Sequence, residues 1–291
     1  MARLAYLGTP ELAVPPLRAL VAAGHEVVLV VTRPDRRRGR GPATSPSPVK
    51  AAATDLGLPV TSDLAALAGS GAGLGVVVAF GRIIPADLLA TLPMVNLHFS
   101  LLPRWRGAAP VERAILAGDA VTGVCLMAVA EGLDTGDVYA RAEVPIGDEP
   151  LEELRGRLVD LGSAMLVDLL AAGPGGLPEP VPQVGVPTYA DKLQPAELEL
   201  DWGRPAVELA RVVRLGRAHT AFRGRRLGVL AARAVRTGAD RGAPPGTLDD
   251  GAVLTGDGRL ALDRVQPEGG RPMAAADWWR GVRPEPGARL G

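Results

Sequence analysis

Two short runs rich in valine and leucine, residues 3–7 and 26–32, flank a helical stretch that ends at Gly24. Strand, helix and strand in succession place the two strands parallel, because the helix is the crossover between them, and a parallel sheet needs cover on both faces. Residues 74–81, LGVVVAFG, show no alternation of apolar and polar side chains and are expected to add a strand buried on both faces. The chain is therefore expected to begin as an α/β domain. The turn LGTP, Leu7–Pro10, lies where a dinucleotide fold would carry G-x-G-x-x-G; it lacks that pattern and gives no sign of a nicotinamide cofactor.

The chemically richest stretch is MVNLHFSLLPRWRGAAP, Met94–Pro110, followed by the acidic turn EGLDTGD at Glu131–Asp137. Side chains alternate across a strand, so Asn96, His98 and Ser100 share one face while Leu97 and Phe99 anchor the other. Leu101, Leu102 and Pro103 end the strand and leave Asn96 and His98 near its carboxyl end, where open parallel sheets bind ligands. With the carboxylate of Asp134, this set suits acyl transfer to an amine. Asn96 and His98 can donate to the oxyanion, and a His–Asp pair can manage the amine's proton. Spacing alone leaves a second reading equally open, in which Asn96 and His98 satisfy a strand end and Asp134 is a turn residue before Gly136.

A chain of 291 residues has room for one large and one small domain. No apolar run approaches the roughly 20 residues of a membrane helix, and the start, MARLAYLG, lacks the apolar core and cleavage site of a signal peptide. A cytoplasmic protein without membrane contact is expected. The single cysteine, Cys125, excludes an intramolecular disulfide and a cysteine-based zinc cluster, and with only three histidines no metal is expected. The apolar run VCLMAVA marks Cys125 as a buried strand residue rather than a nucleophile. His25 reads as a loop or strand-start residue without a role, and His219 as a surface residue.

The formal net charge is zero but unevenly spread. Residues 1–204 hold 17 basic and 23 acidic side chains, and residues 205–291 hold 15 and 9. The basic C-terminal region modestly favours a nucleic-acid contact over an arginine-rich solvated surface, in a chain whose only lysines are Lys50 and Lys192. Residues 33–47 place Arg33, Arg36, Arg37, Arg38 and Arg40 in one polar loop, either a clasp for phosphates or a solvated surface. Arg104 and Arg106 around Trp105 read as a basic, aromatic lip or as loop packing.

NLHFSLLPRWRGAAP followed by EGLDTGD resembles the signature of the methionyl-tRNA formyltransferases, a branch of the 10-formyltetrahydrofolate-dependent formyltransferases. LGTPELA, RPDRRRGRG with SPVK, VVVAFGRIIP, TYADKL and the pair Asp201–Trp202 are similar to that family in the same order, densely to residue 205 and thinly after it. The resemblance implies Asn96, His98 and Asp134 as the catalytic trio. It implies folate contacts at Ser100, Leu101, Leu102 and Pro103, with Phe80, Gly81, Arg82 and Ile83 lining the pterin pocket, and tRNA contacts at Arg36, Arg37, Arg38 and Arg40, Arg40 foremost. 10-Formyltetrahydrofolate would be the co-substrate, initiator methionyl-tRNA the acceptor, and a monomer the working form. A sister enzyme acting on an amino sugar nucleotide or another small amine would keep the trio without needing the arginine loop. An inactive folate- or RNA-binding paralogue would have no use for the trio.

The fold implied is α/β: a Rossmann-like, mostly parallel sheet in a formyltransferase catalytic domain, residues 1–187, and a small C-terminal OB-like β-barrel domain contacting tRNA, residues 205–291. Residues 188–204 would bridge them. Nine of the fifteen residues 173–187 are Gly or Pro, the composition of an exposed connector. A helix from about residue 151 to 171 precedes it. After residue 205 a helix and several short runs separated by Gly, Pro and Asp predict a small barrel, onto which Trp278 and Trp279 would pack. Arg214–Gly224, RLGRAHTAFRG, lacks the proline that the family carries in this segment.

Overall fold

The computed structural model describes residues 1–37, 44–235 and 242–291. The chain divides into two compact units, the first formed by Met1–Val111, Val121–Pro145 and Leu154–Lys192, the second by Glu112–Ala120, Ile146–Glu153 and Leu193–Gly291.

The first unit is built on a seven-stranded sheet in the spatial order Val138–Pro145, Val121–Ala128, Met94–His98, Leu74–Val78, Arg3–Gly8, Glu26–Val31, Val60–Thr61. The five strands from Met94–His98 to Val60–Thr61 run parallel; at one edge Val121–Ala128 runs against them, and Val138–Pro145 pairs antiparallel with it and so runs with the five. From Arg3–Gly8 the chain winds outward one way through Glu26–Val31 and returns to the other side at Leu74–Val78. The crevice at the carboxyl ends of these strands is the place where such a reversal binds ligands. Leu74–Val78 is buried at every position, as its lack of alternation requires. It stops three residues short of the expected Gly81, because Ala79 turns to a left-handed φ of 47° and opens the following loop.

The helix Leu151–Leu170 covers the strand that carries Asn96 and His98. An added Cβ at Gly162 would stand 2.6 Å from Leu97 Cδ1 and 3.2 Å from Val124 Cγ1, so the glycine is what lets the helix close on the sheet there. Leu97 is 2% exposed, and its burial contributes about 1.5–3 kcal/mol to holding the strand whose neighbouring positions face the site. Ser47 caps the helix Pro48–Asp55 by accepting from the Lys50 amide, with Pro48 in the first turn where it costs no hydrogen bond. His25 is buried, and its Nδ1 accepts from the Ala2 amide, which accounts for it structurally.

The stretch 173–187 departs from the free connector that its composition predicts. Val181 exchanges two backbone hydrogen bonds with Val138, and further on Tyr189–Ala190 pairs in parallel with Arg106–Gly107. The chain is thereby stitched to the first unit as far as Lys192.

In the second unit, the helix Ala206–Arg214 places Leu209, Val212 and Val213 at helical spacing into a core shared with Trp202, Phe222, Val229, Val253, Leu260, Val265 and Trp278. The sheet is antiparallel throughout: His219–Phe222, Arg225–Val235, Arg259–Pro267, Ala252–Leu254 and Leu248–Asp249 in order, with Met273–Ala274 beside Arg259–Pro267. Residues 288–291 bridge the two edges of the sheet, since Leu248 donates to Ala288, Leu290 to Gly246 and Gly291 to Ala221. Trp278 is buried edge-on against Phe222, with centroids 5.2 Å apart, and Trp279 packs half-buried beside it. His219 is half-buried, with Nδ1 shielded from water and unpartnered, rather than a surface residue.

Candidate active site

The parallel pair Met94–His98 and Leu74–Val78 sets Val77 beside Asn96 and Val78 beside Leu97, so the turn after Val78 emerges next to His98. On its other side the strand pairs with Val121–Ala128, Asn96 opposite Met127 and His98 opposite Cys125. The turn that follows this second strand returns Asp134 to the same end of the sheet. Its shape depends on two positions. Asp134 itself adopts φ 49°, a conformation Asp tolerates better than most residues. At Gly136 an added Cβ would fall 1.8 Å from the Ala128 carbonyl oxygen, so no side chain fits.

Asp134, 38 residues beyond Asn96 in sequence, thus meets Asn96 and His98. Asn96 Nδ2 donates to Asp134 Oδ1 at 3.4 Å, and the Gly107 amide donates to Oδ2 at 2.7 Å. His98 Nδ1 lies 3.6 Å from the same Oδ2, an ion-pair distance for a charged ring but longer than a hydrogen bond. The other ring nitrogen, Nε2, is 3.0 Å from the Trp105 carbonyl oxygen; a carbonyl only accepts, so Nε2 carries a hydrogen. The His98 and Asp134 side chains are 7% and 13% exposed, dry enough to strengthen any charge they share yet open to a ligand. Such a cluster offers an amide donor, an imidazole N–H and a carboxylate around one point.

Trp105 is held in a left-handed conformation, φ 63°, with its amide on Thr188 Oγ1 and its ring under the Arg104 guanidinium at 4.5 Å. Gly107 has φ 125°, and an added Cβ would stand 2.9 Å from the Ala190 carbonyl oxygen; this close approach is what allows its amide to reach Asp134. Arg106 is bound to Gln183. None of Trp105's carbonyl, Gly107's amide or Gln183 is marked by the motif. The first two are backbone groups, and Gln183 sits in a stretch whose composition reads as linker.

The other expected site residues divide. Phe80 is 2% exposed and belongs to the core formed with Leu7, Val31 and Val77. Ser100 is fully buried with Oγ donating to the Arg104 carbonyl at 2.6 Å, and Leu102 packs on Cys125 and Met127. These three side chains are spent on packing and loop shape. Gly81, Arg82 and Ile83 are exposed, Leu101 and Pro103 half-buried. The Gly81 carbonyl accepts from Arg33, and Arg82 donates to the Ser62 carbonyl. Arg36–Arg37 pairs as a short antiparallel strand with Thr44–Ser45; Arg38 and Arg40 lie outside the described residues. Burial pushes the Cys125 thiol up from its ordinary value, against smaller opposing effects of the Leu102 backbone and Arg141, so the thiol is a poor nucleophile. Among the described residues, no group of three or more His, Cys, Asp and Glu is arranged to hold a metal ion, and no helix is long and apolar enough to cross a membrane.

Residues 2–170 match the family model described as formyl transferase, and residues 192–283 match the formyl transferase C-terminal domain. The chain is 42% identical to the methionyl-tRNA formyltransferase of Heliobacterium modesticaldum, over 99% of this chain and all of that protein. It is 44% identical to that of Jannaschia sp., over 99% of both. Among solved structures, an N-formyltransferase from Helicobacter canadensis bound to folinic acid and dTDP-3-aminofucose superposes with a TM-score of 0.69 at 16% identity, covering 90% of this chain and 99% of that one. HypX from Aquifex aeolicus with tetrahydrofolic acid gives 0.64 at 18% identity, covering 96% of this chain and 47% of that one. These last two likenesses concern the fold.

Proposed function

The chain belongs to the methionyl-tRNA formyltransferase family, and on that premise we propose that it transfers the formyl group of 10-formyltetrahydrofolate to the α-amino group of initiator methionyl-tRNA. The observation that carries this reading is the meeting of Asn96, His98 and Asp134 at the carboxyl end of the sheet.

In this reading the amine nitrogen attacks the formyl carbon, the carbon–N10 bond breaks, the amine loses a proton and N10 gains one. Asn96 Nδ2 and His98 Nε2 donate to the oxygen as it becomes negative. The Nε2–H that now serves the Trp105 carbonyl is the donor the oxyanion requires, so His98 exchanges one acceptor for the other as the reaction proceeds. Asp134 takes the amine's proton, directly or through a water, and pairs with the imidazolium whenever the ring is charged. No step needs a covalent intermediate on the protein. The exposed turn Gly81–Ile83 and half-buried Leu101 and Pro103 are the positions available to hold the folate. Phe80, Ser100 and Leu102 shape that pocket from behind.

The arginines Arg36, Arg37, Arg38 and Arg40 would grip phosphates near the acceptor end, a role in keeping with their density in one short stretch of sequence. The enzyme would work in the cytoplasm, as a monomer. Incubating purified protein with 10-formyltetrahydrofolate and methionylated initiator tRNA tests the reading: formylmethionine on the tRNA supports it, and its absence with every tRNA contradicts it.

A further inference from the structure

Gln183 bridges two loops of the candidate site. Its Nε2 donates to the backbone carbonyls of Asp134, at 2.9 Å, and Gly136, at 2.8 Å, while its Oε1 accepts from Arg106 Nε at 3.2 Å and Nη2 at 2.6 Å. A side-chain amide has two hydrogens to give and two lone pairs to offer, and all four are used. The amide cannot be turned over without setting its N–H groups against a guanidinium and its oxygen against two carbonyls, so its orientation is fixed.

Each half of this contact leads to the same carboxylate. One of the two turn carbonyls is Asp134's own and the other lies two residues on, at Gly136, so both belong to the turn at Asp134, which is left-handed and keeps its shape only where the surroundings over-determine it. Arg106 precedes Gly107, whose amide binds Asp134 Oδ2 at 2.7 Å. Gln183 is itself anchored between Val181, paired with Val138, and Thr188, which receives the Trp105 amide on Oγ1 and the Arg106 amide on its carbonyl. The stretch 181–190 is therefore a brace along both loops rather than a passive connector.

We propose that Gln183 is a positioning residue that sets the Asp134 carboxylate against His98 and Asn96. Gln183 acts through Asp134, and the inference rests on the assignment of Asp134 made under the proposed function.

The test compares the full-length parent with Gln183→Met, Gln183→Glu, Asp134→Asn and the double variant Gln183→Met/Asp134→Asn. Steady-state and single-turnover formyl transfer to methionyl-tRNA and thermal midpoints are measured for each. Misplacing a reacting group by about 1 Å costs on the order of 10²-fold, so Gln183→Met is expected to lower kcat about 10- to 100-fold, with KM for either substrate changed less than about threefold. Gln183→Glu should be as slow, because a carboxylate keeps the Arg106 contact but has no hydrogen for the two carbonyls. In the Asp134→Asn background Gln183→Met should slow the reaction by less than about twofold more, since coupled residues are not additive. A parental kcat in Gln183→Met beside a slow Asp134→Asn overturns the inference, and so do fully additive effects in the double variant. If Gln183→Met does not fold, Gln183→Glu carries the same test, and a parental kcat there overturns it. A parental rate in Asp134→Asn would instead overturn the assignment of Asp134, and this inference with it.

Discussion

His98 donates Nε2–H to the Trp105 carbonyl at 3.0 Å, which fixes the ring's tautomer and turns Nδ1 toward Asp134. The donor that an oxyanion would need is thus already formed and aimed before any substrate arrives, but it is engaged by the protein's own backbone. Nitrogen-15 spectra of labelled histidine in the free protein, taken at a pH where the ring is neutral, should show the hydrogen of His98 on Nε2. A spectrum placing it on Nδ1 would contradict the geometry. Adding the formyl donor should shift the Nε2 signal as the acceptor changes.

Removing the amide at position 96 leaves the oxyanion one donor short. Asn96→Ala should slow formyl transfer by about 10² to 10³, and Asp134→Asn, which cannot take a proton, by on the order of 10² to 10⁴. Tetrahydrofolate binding measured by titration should be retained in both. Near-parental turnover in either would remove that residue from the mechanism.

The Asp134 turn should tolerate no side chain at Gly136, where a Cβ would meet the Ala128 carbonyl oxygen at 1.8 Å. Gly136→Ala should therefore lower both the thermal midpoint and kcat, by a larger margin than the roughly 1 kcal/mol typical of point mutants. By contrast Gly156, with open space around its Cα, should accept alanine and gain a few tenths of a kcal/mol or more through helix propensity. Equal effects of the two substitutions on melting would contradict the packing described.

Much of this site was legible because strand periodicity is simple. Once Met94–His98 is a strand, Asn96 and His98 must share a face, and a turn with three acidic residues and two glycines, Glu131–Asp137, can bring Asp134 back. Burial was less legible. Phe80, Ser100 and Leu102 lie in segments that reach the site, yet Phe80 and Leu102 pack into apolar clusters and Ser100 turns its hydroxyl to the Arg104 carbonyl. The parts played by the Trp105 carbonyl and the Gly107 amide carry no residue-type signal at all. Gln183 was hidden differently: eight of its nearer neighbours are Gly, Pro or Val, so composition read the stretch as linker, although pairing with Val138 and contact with Arg106 hold it in place.

Changing Arg36, Arg37, Arg38 and Arg40 together to alanine should raise KM for methionyl-tRNA, flatten the salt dependence of tRNA use, and leave the affinity for the folate donor unchanged. Loss of folate affinity in parallel would give these arginines a structural part in the donor site instead.

In the second unit, Arg113 hydrogen-bonds Glu197 and holds its carboxyl below the usual value, with a further contribution from the Gln194 amide. A carboxylate whose folded value is depressed contributes stability above the unfolded value, near 4.5, and that contribution is lost as pH falls through the folded value. Arg113→Met should therefore lower the thermal midpoint at pH 7 and have a smaller effect at pH 3. Both groups are partly exposed, so the difference should be about 1 kcal/mol or less. A destabilisation independent of pH would contradict the ion pair's role.

The most direct measurement is formyl transfer from 10-formyltetrahydrofolate with methionylated initiator tRNA, methionylated elongator tRNA and a panel of amino sugar nucleotides offered in parallel. Efficient transfer to initiator tRNA, little to elongator tRNA and none to the sugars is the predicted result. Transfer to an amino sugar with both tRNAs ignored would leave the chemistry of Asn96, His98 and Asp134 standing and contradict the acceptor.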